Sequence, residues 1–320
     1  MIIDYILNAI AIGMTFLYGS TGEIITEKAG HLNLGIPGVM CVGAAGGCAA
    51  LHYMIVGGIT NGFLLVTVGI IASFIAAFLM GVIFSFLAVT LHANQNVTGL
   101  AMTTFGVGLM KYIMYGLKEG NSIPYLKALS AFRFPFAEQT NGLKYCGVMV
   151  FLAIIVALLS SFVLFKTKVG LHLRAVGENP ATADAAGINV TLYKYLATSI
   201  GCGISGLGGL CYIMDYAGSR ESYLSIEALG WLAVALVIFA LWRPHLSLVG
   251  SVIFGALFIA GQFIPTLIPL KFLQTMTAAP LLKMLPYVVT IIVLTVTSIR
   301  DKKENHPPQG LGLNYYREER

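Results

Sequence analysis

Long apolar stretches, broken by short polar clusters, recur along almost the whole chain. A helix needs about 20 residues to cross the ~30 Å hydrocarbon core of a bilayer. On that measure, spans are predicted near residues 3–21, 34–57, 62–91, 97–117, 145–166, 191–213, 229–243, 246–269 and 285–300. The fold class is therefore all-α, a polytopic integral membrane protein with about 8–10 transmembrane helices. The segment 62–91 is longer than a crossing requires, and other spans are interrupted by Gly or Pro. These are candidates for tilted, broken or re-entrant helices. Residues 1–300 form the membrane domain, and the polar, periodicity-free stretch 301–320 with Pro307-Pro308 is predicted to be a flexible tail.

Composition sharpens this picture. With 57% hydrophobic and 10% charged residues, the chain lies far from soluble domains, where about a quarter of residues are charged. The 36 glycines suit helices in lipid, which associate through small residues that let backbones approach. The net charge of +5 is spread over loops and helix ends without a basic patch, so nucleic acid is not an expected partner. The five cysteines lack paired spacing and nearby His, which fits buried packing and no metal.

Positive charge near span ends sets orientation. Placing the loop 166–190 and the tail in the cytoplasm puts eleven Lys and Arg on that side and seven on the other. Nine spans then leave the N-terminus outside and the segment 118–144 facing outward. Lys111 lies within a span but about two turns from its outer end, a distance that snorkelling covers.

Catalytic devices are missing from the sequence. It has no phosphate-binding G-x-x-x-x-G-K-[ST], no H-E-x-x-H and no G-x-S-x-G. No catalytic residue, metal ligand or cofactor is expected. Gly201-Cys202-Gly203-Ile204-Ser205-Gly206 fits the dinucleotide pattern G-x-G-x-x-G, but no strand precedes it and it falls within a span. Close helix packing is its expected role.

The most informative polar stretch runs from Gly170 to Gly187 and contains Arg174, Gly177, Glu178, Asn179, Pro180 and Asp184. Asn179 can cap a helix, Pro180 fits the first helical position, alanines continue it and Gly187 ends it. A short helix between two spans lies at the membrane surface. On residue pattern alone, a passive surface element and a rigid lever for a soluble partner fit equally.

Gly170–Gly187 resembles the G-L-x-L-R-A-V-G-E-N-P-x-A-A-x-x-A-G-I signature of ABC-transporter permeases that import nucleosides, simple sugars and related solutes. Three further stretches agree: Gly22–Gly35 with the G-E-x-x-T-E-[KR]-A-G-x-L-N-L-G entry, Asn94–Ala101 with N-Q-x-V-[ST]-G-L-A, and Gly230–Pro244 with the late G-[WF]…W-x-P motif. The nucleoside-type branch fits best, with simple-sugar and riboflavin-type permeases as alternatives. Two departures stand out: Pro37 where an acidic residue is expected, and Leu229 where nucleoside-type members often have Arg.

The resemblance implies an alternating-access permease in a bacterial cytoplasmic membrane. Its partners would be a cytoplasmic ABC ATPase that binds and hydrolyses ATP, a second permease subunit, an extracytoplasmic solute-binding lipoprotein and membrane lipid. It assigns Arg174, Gly177, Glu178, Asn179, Pro180, Asp184 and Gly187 to coupling with the ATPase. Asn33, Gln95, Asn96, Thr98, Thr103, Trp231 and Gln262 are the candidates for the translocation path, with helix-to-helix hydrogen bonding or an interfacial position as the competing role. A stand-alone secondary transporter would need ion-coupling acids within the spans, and a membrane-embedded enzyme would need a nucleophile or paired acids. The predicted spans show no convincing set of either.

Overall fold

A computed structural model describes residues 2–117, 123–133, 147–219, 221–267, 284–300 and 306–316. In order the helices are α1 (Ile2–Lys28), α2 (Ile36–Val56), α3 (Gly62–Ser85), α4 (Gln95–Gly116), the one-turn α5 (Leu129–Phe132) and α6 (Val148–Lys166). They continue as α7 (Lys168–Glu178), α8 (Pro180–Ala185), α9 (Val190–Cys211), α10 (Ile226–Phe239), α11 (Pro244–Leu267) and α12 (Leu285–Arg300). Each predicted span falls on one of these helices. Among the described residues, seven helical segments are long and apolar enough to cross a membrane, and the chain is an all-α, multi-pass membrane protein.

The long segment 62–91 is a single helical run. α3 continues through a π-helical turn, Phe86–Thr90, and α9 ends the same way through Tyr212–Ala217. α1 outruns its expected end at residue 21 and reaches Lys28, because Glu23 and Glu27 find partners inside the protein.

α1, α2 and α9 form the interior. Four-fifths of the hydropathic window of α9 is buried, whereas α3 and α6 turn long apolar faces outward, including Ile71, Ile75 and Leu79 of α3 and Ile155, Leu158 and Phe162 of α6. Glycines set how near the central helices come. A Cβ on Gly22 of α1 would lie 2.1 Å from the Gly201 carbonyl oxygen of α9, and one on Gly43 of α2 would lie 2.4 Å from the Gly206 Cα. The G-x-G-x-x-G stretch is thus a two-sided packing seam. Gly201 meets α1, Gly206 meets α2, and Gly203 abuts the ring of Phe74 on α3.

One end of the bundle, here called the tail face, gathers the C-termini of α1 and α3, the N-termini of α2, α4 and α9, and the surface helices α7 and α8. Residues 306–316 of the tail join them. The Gly310 N–H donates to the Gly177 carbonyl at 2.9 Å, the Gly312 N–H to the Gly30 carbonyl at 3.1 Å, and Asn314 Nδ2 to the His92 carbonyl at 2.7 Å. The tail is held because it supplies hydrogen-bond partners that these helix ends and turns lack. Tail residues 306–316 and the loop 166–190 therefore share a face; most of the segment 118–144 lies outside the described residues.

Gly206→Leu and Gly43→Leu are expected to lower the thermal unfolding midpoint of the detergent-solubilised protein, each by the equivalent of about 1–3 kcal/mol or more, since the new group meets the Ala77 Cβ at 2.2 Å in the first and the Gly206 backbone at 2.4 Å in the second, neither of which can swing aside. Gly108→Leu, where nothing stands within 4 Å of the added Cβ, should leave the midpoint unchanged or raised. Scanning fluorimetry of the three variants checks the contrast.

Candidate functional site

At the surface of the tail face, Thr167 starts α7 by accepting the Gly170 N–H on its hydroxyl at 3.2 Å. Asn179 then caps α8, its Oδ1 accepting the Thr182 N–H at 3.0 Å, with Pro180 in the first turn. The helix closes when the Ile188 N–H returns to the Ala183 carbonyl at 3.0 Å, which needs the left-handed backbone of Gly187 at φ +82°. Sequence reasoning placed α8 but missed that residues 168–178 are helical as well. The Thr167 cap and the spacing of Leu173, Val176 and Gly177, which form its buried face with Gly170, were the available signals.

The expected coupling residues divide by what they touch. Arg174 lies over the Phe165 ring at 5.3 Å. Gly177 must be glycine, because a Cβ there would meet the Lys28 carbonyl oxygen at 2.2 Å, and this contact locks α7 onto the end of α1. Glu178 accepts the Gln309 N–H at 3.2 Å, and Asp184 accepts the Tyr315 hydroxyl at 2.9 Å. The outer side of α8 exposes only small residues, Ala181, Thr182, Ala185 and Ala186.

Beneath this surface lies a buried polar layer. The Glu23 carboxylate accepts the Asn33 N–H at 3.2 Å, and Glu27 accepts the Trp242 indole N–H. His31 Nδ1 and the Thr198 hydroxyl are 2.7 Å apart. Burial drives the His31 imidazole well below its ordinary pKa, and the Lys194 charge pushes the same way, so His31 is neutral. Buried acids in a membrane protein are costly unless partnered, and here each acid takes a donor from another segment, the turn before α2 for Glu23 and the turn after α10 for Glu27, with Glu23 Oε2 left without a hydrogen bond among the described residues. Glu23, Glu27, His31 and Trp242 were legible as motif positions, but their pairing across up to 215 residues of chain was not.

Four of the seven candidate path residues come together around the N-termini of α2 and α4. Asn33 Oδ1 accepts the Gly35 N–H at 2.9 Å, while its amide points to Cys202 Sγ at 3.4 Å. Gln95 accepts the Leu32 N–H at 2.9 Å and donates to Asn314 at 3.2 Å; Thr103 donates to the Leu34 carbonyl at 2.9 Å; Thr98 is buried nearby on α4. Three of the four thus tie chain segments together. Asn96 is exposed on α4 and Trp231 is half-buried on α10, so neither joins this cluster, and the Gln262 side chain lies outside the described residues. The two departures, Pro37 and Leu229, are both buried where α2 meets α10: a Cβ on Gly230 would sit 2.4 Å from the Pro37 Cα.

A family described as the permease component of branched-chain amino acid transport systems matches residues 5–294. The chain belongs to this permease family. Among its relatives, the nucleoside ABC transporter permease protein NupC of Lactococcus lactis is 31% identical over 305 residues, covering 91% of each chain. TsgC13 of Haloferax volcanii, provisionally named a glucose ABC transporter permease protein, is 30% identical over 335 residues, covering 98% of each. A solved metal-chelate type ABC transporter in an inward-facing conformation superposes with a TM-score of 0.50 at 16% identity, over 93% of this permease and 85% of that chain. That likeness concerns the fold alone.

Asn179→Ala removes the cap of α8 and is expected to cost this helix about 1 kcal/mol. Hydrogen exchange of the peptide spanning residues 179–188 should quicken about 5-fold, with α9 protected as before. Mass spectrometry of the exchanged, proteolysed protein reads it.

Proposed function

We propose that this permease is the membrane-spanning subunit of an ATP-driven importer for a nucleoside, embedded in a bacterial cytoplasmic membrane with its tail face toward the cytoplasm. The observation that carries the reading is α8. A two-turn helix capped at both ends, anchored through Gly177 to α1 and covered on its outer side only by small residues, is a stiff surface that a soluble ATPase can grip. Force applied to α8 reaches α1 through the Gly177–Lys28 contact and α9 through the short Gly187–Asn189 link. These are two of the three central helices. Nucleotide-driven movement of the ATPase would thereby rock the core between outward-open and inward-open states, and the solute must bind one state more tightly for transport to be directed.

A second permease copy is required to enclose the path. Unlike the mid-spans of α3 and α6, α4 places polar groups on its outer face, with Asn96, Thr104, Lys111 and the hydroxyl-bearing Tyr112 and Tyr115 all exposed. Such a face belongs against a partner or a solute rather than hydrocarbon. An extracytoplasmic solute-binding lipoprotein would deliver the nucleoside to the opposite end. The Lactococcus relative favours a nucleoside; the Haloferax relative favours a simple sugar as the second reading.

Proteoliposomes holding the permease with its ATPase and binding protein should accumulate radiolabelled nucleoside only with ATP inside the vesicle compartment that the ATPase faces. Accumulation of glucose with none of nucleoside would reverse the solute assignment and keep the machine. Glu178→Arg is expected to leave insertion and abundance unchanged while uptake falls at least about 10-fold, because the exposed carboxylate lies at the α7–α8 junction. In intact cells, a single cysteine placed at Ala181 should resist membrane-impermeant reagents until the membrane is opened, and labelling from outside would invert the topology.

A further inference from the structure

Beside α8 on the tail face is a cavity of about 700 Å³ that shares Asp184 and Gly187 with the coupling segment and contains none of the candidate path residues. That volume suits a ligand of metabolite size rather than a bare ion. Its floor is the first turn of α9. Asn189 Oδ1 takes the Leu192 N–H at 3.0 Å, which leaves the N–H groups of Val190 and Thr191, both lining the cavity, as the unfilled donors of a 22-residue helix. One turn further along, Lys194 also lines the cavity. It is 3% exposed and has neither a hydrogen bond nor an ion pair with any described residue. A nine-tenths-buried ammonium beside an open helix N-terminus is a site prepared for negative charge.

The tail forms the opposite wall. Tyr316 stacks on His92 with ring centres 4.5 Å apart and planes at 14°, and Asn314 fixes the strained turn at His92, where φ is +53°, by donating to its carbonyl. The carboxylate of Asp184 lines the same cavity and opposes an anion, but it is drawn to the wall by the Tyr315 hydroxyl. His31, neutral and tied to Thr198, adds a polar edge without charge.

We infer that this cavity binds a small phosphorylated molecule carrying an aromatic ring, of the nucleoside monophosphate class, with its phosphate at Lys194 and the α9 N-terminus and its ring against the His92–Tyr316 pair. Because Asn314, Tyr315 and Tyr316 belong to the tail, the bound ligand clamps the tail across α8 and α9. The inference rests on the proposed function only in placing the cavity at the cytoplasmic face, where phosphorylated metabolites occur. Phospholipid headgroups offer the same phosphate chemistry, and the test separates the two sources.

The test uses the purified, delipidated full chain in detergent. Guanosine monophosphate, guanosine and inorganic phosphate are titrated calorimetrically, and hydrogen exchange of residues 306–316 is followed in parallel. The nucleotide should bind saturably and slow exchange of the tail, while guanosine should not. Lys194→Gln should weaken nucleotide binding about 10-fold or more, and Tyr316→Ala, on a half-exposed tail residue, about 5-fold at an unchanged melting midpoint. A phospholipid that survives mild purification of the parent protein and is missing from Lys194→Gln would support the phosphate site with a headgroup as its source. Absence of phosphate-dependent binding to the parent protein, or nucleotide binding that neither variant moves, would overturn the inference. Equal binding of inorganic phosphate and nucleotide would overturn the ring contact. None of these readouts depends on uptake, so a failed transport assay with nucleotide binding intact faults the permease reading alone.

Discussion

The architecture depends on backbone meeting backbone where α9 crosses α1 and α2. In hydrocarbon, apolar side chains gain little by leaving lipid for protein, so association rests on contact area and on polar groups that find each other. Gly22 against Gly201 and Gly43 against Gly206 bring the helix axes close enough for both. The Ser205 hydroxyl then reaches the Gly19 carbonyl at 3.1 Å, and Ser73 reaches the Gly206 carbonyl at 3.3 Å. The remaining spans pack around this three-helix centre.

From that closeness follows the buried polar layer at the tail face. With the helix ends drawn together, Glu23 and Glu27 face donors from Asn33 and Trp242 instead of water, and His31 meets Thr198. A single layer thus joins α1, the turn before α2, α9 and the turn between α10 and α11. The surface helices sit directly above it, and displacement of α8 cannot be absorbed locally, since Gly177 has no slack against Lys28.

Much of this was written in local patterns. Apolar run length located every span, and Asn179, Pro180 and Gly187 marked α8 because a cap, a first-turn proline and a left-handed glycine each have one local use. Local patterns failed where partners are distant. The end of α1 was misjudged because Glu27 is apt for a helix only once Trp242 is beside it. Asn33, Gln95 and Thr103 are path candidates in sequence with helix-to-helix hydrogen bonding as the competing role, and their partners, which lie in turns and tail far along the chain, could not be read locally. Residues 306–316 have no apolar periodicity to read, and the order they show is borrowed from carbonyls of Gly30, His92 and Gly177.

That borrowed order has a consequence for biosynthesis. Residues 309–315 touch Gly30, His92, Gln95, Gly177, Glu178 and Asp184, all of which are synthesised before them. Until residues 309–315 emerge, those carbonyls and carboxylates stay open to water and to any passing partner. A chain truncated before residue 309 therefore presents a different tail face from one that carries this segment, and a binding partner has a chemical means of telling them apart.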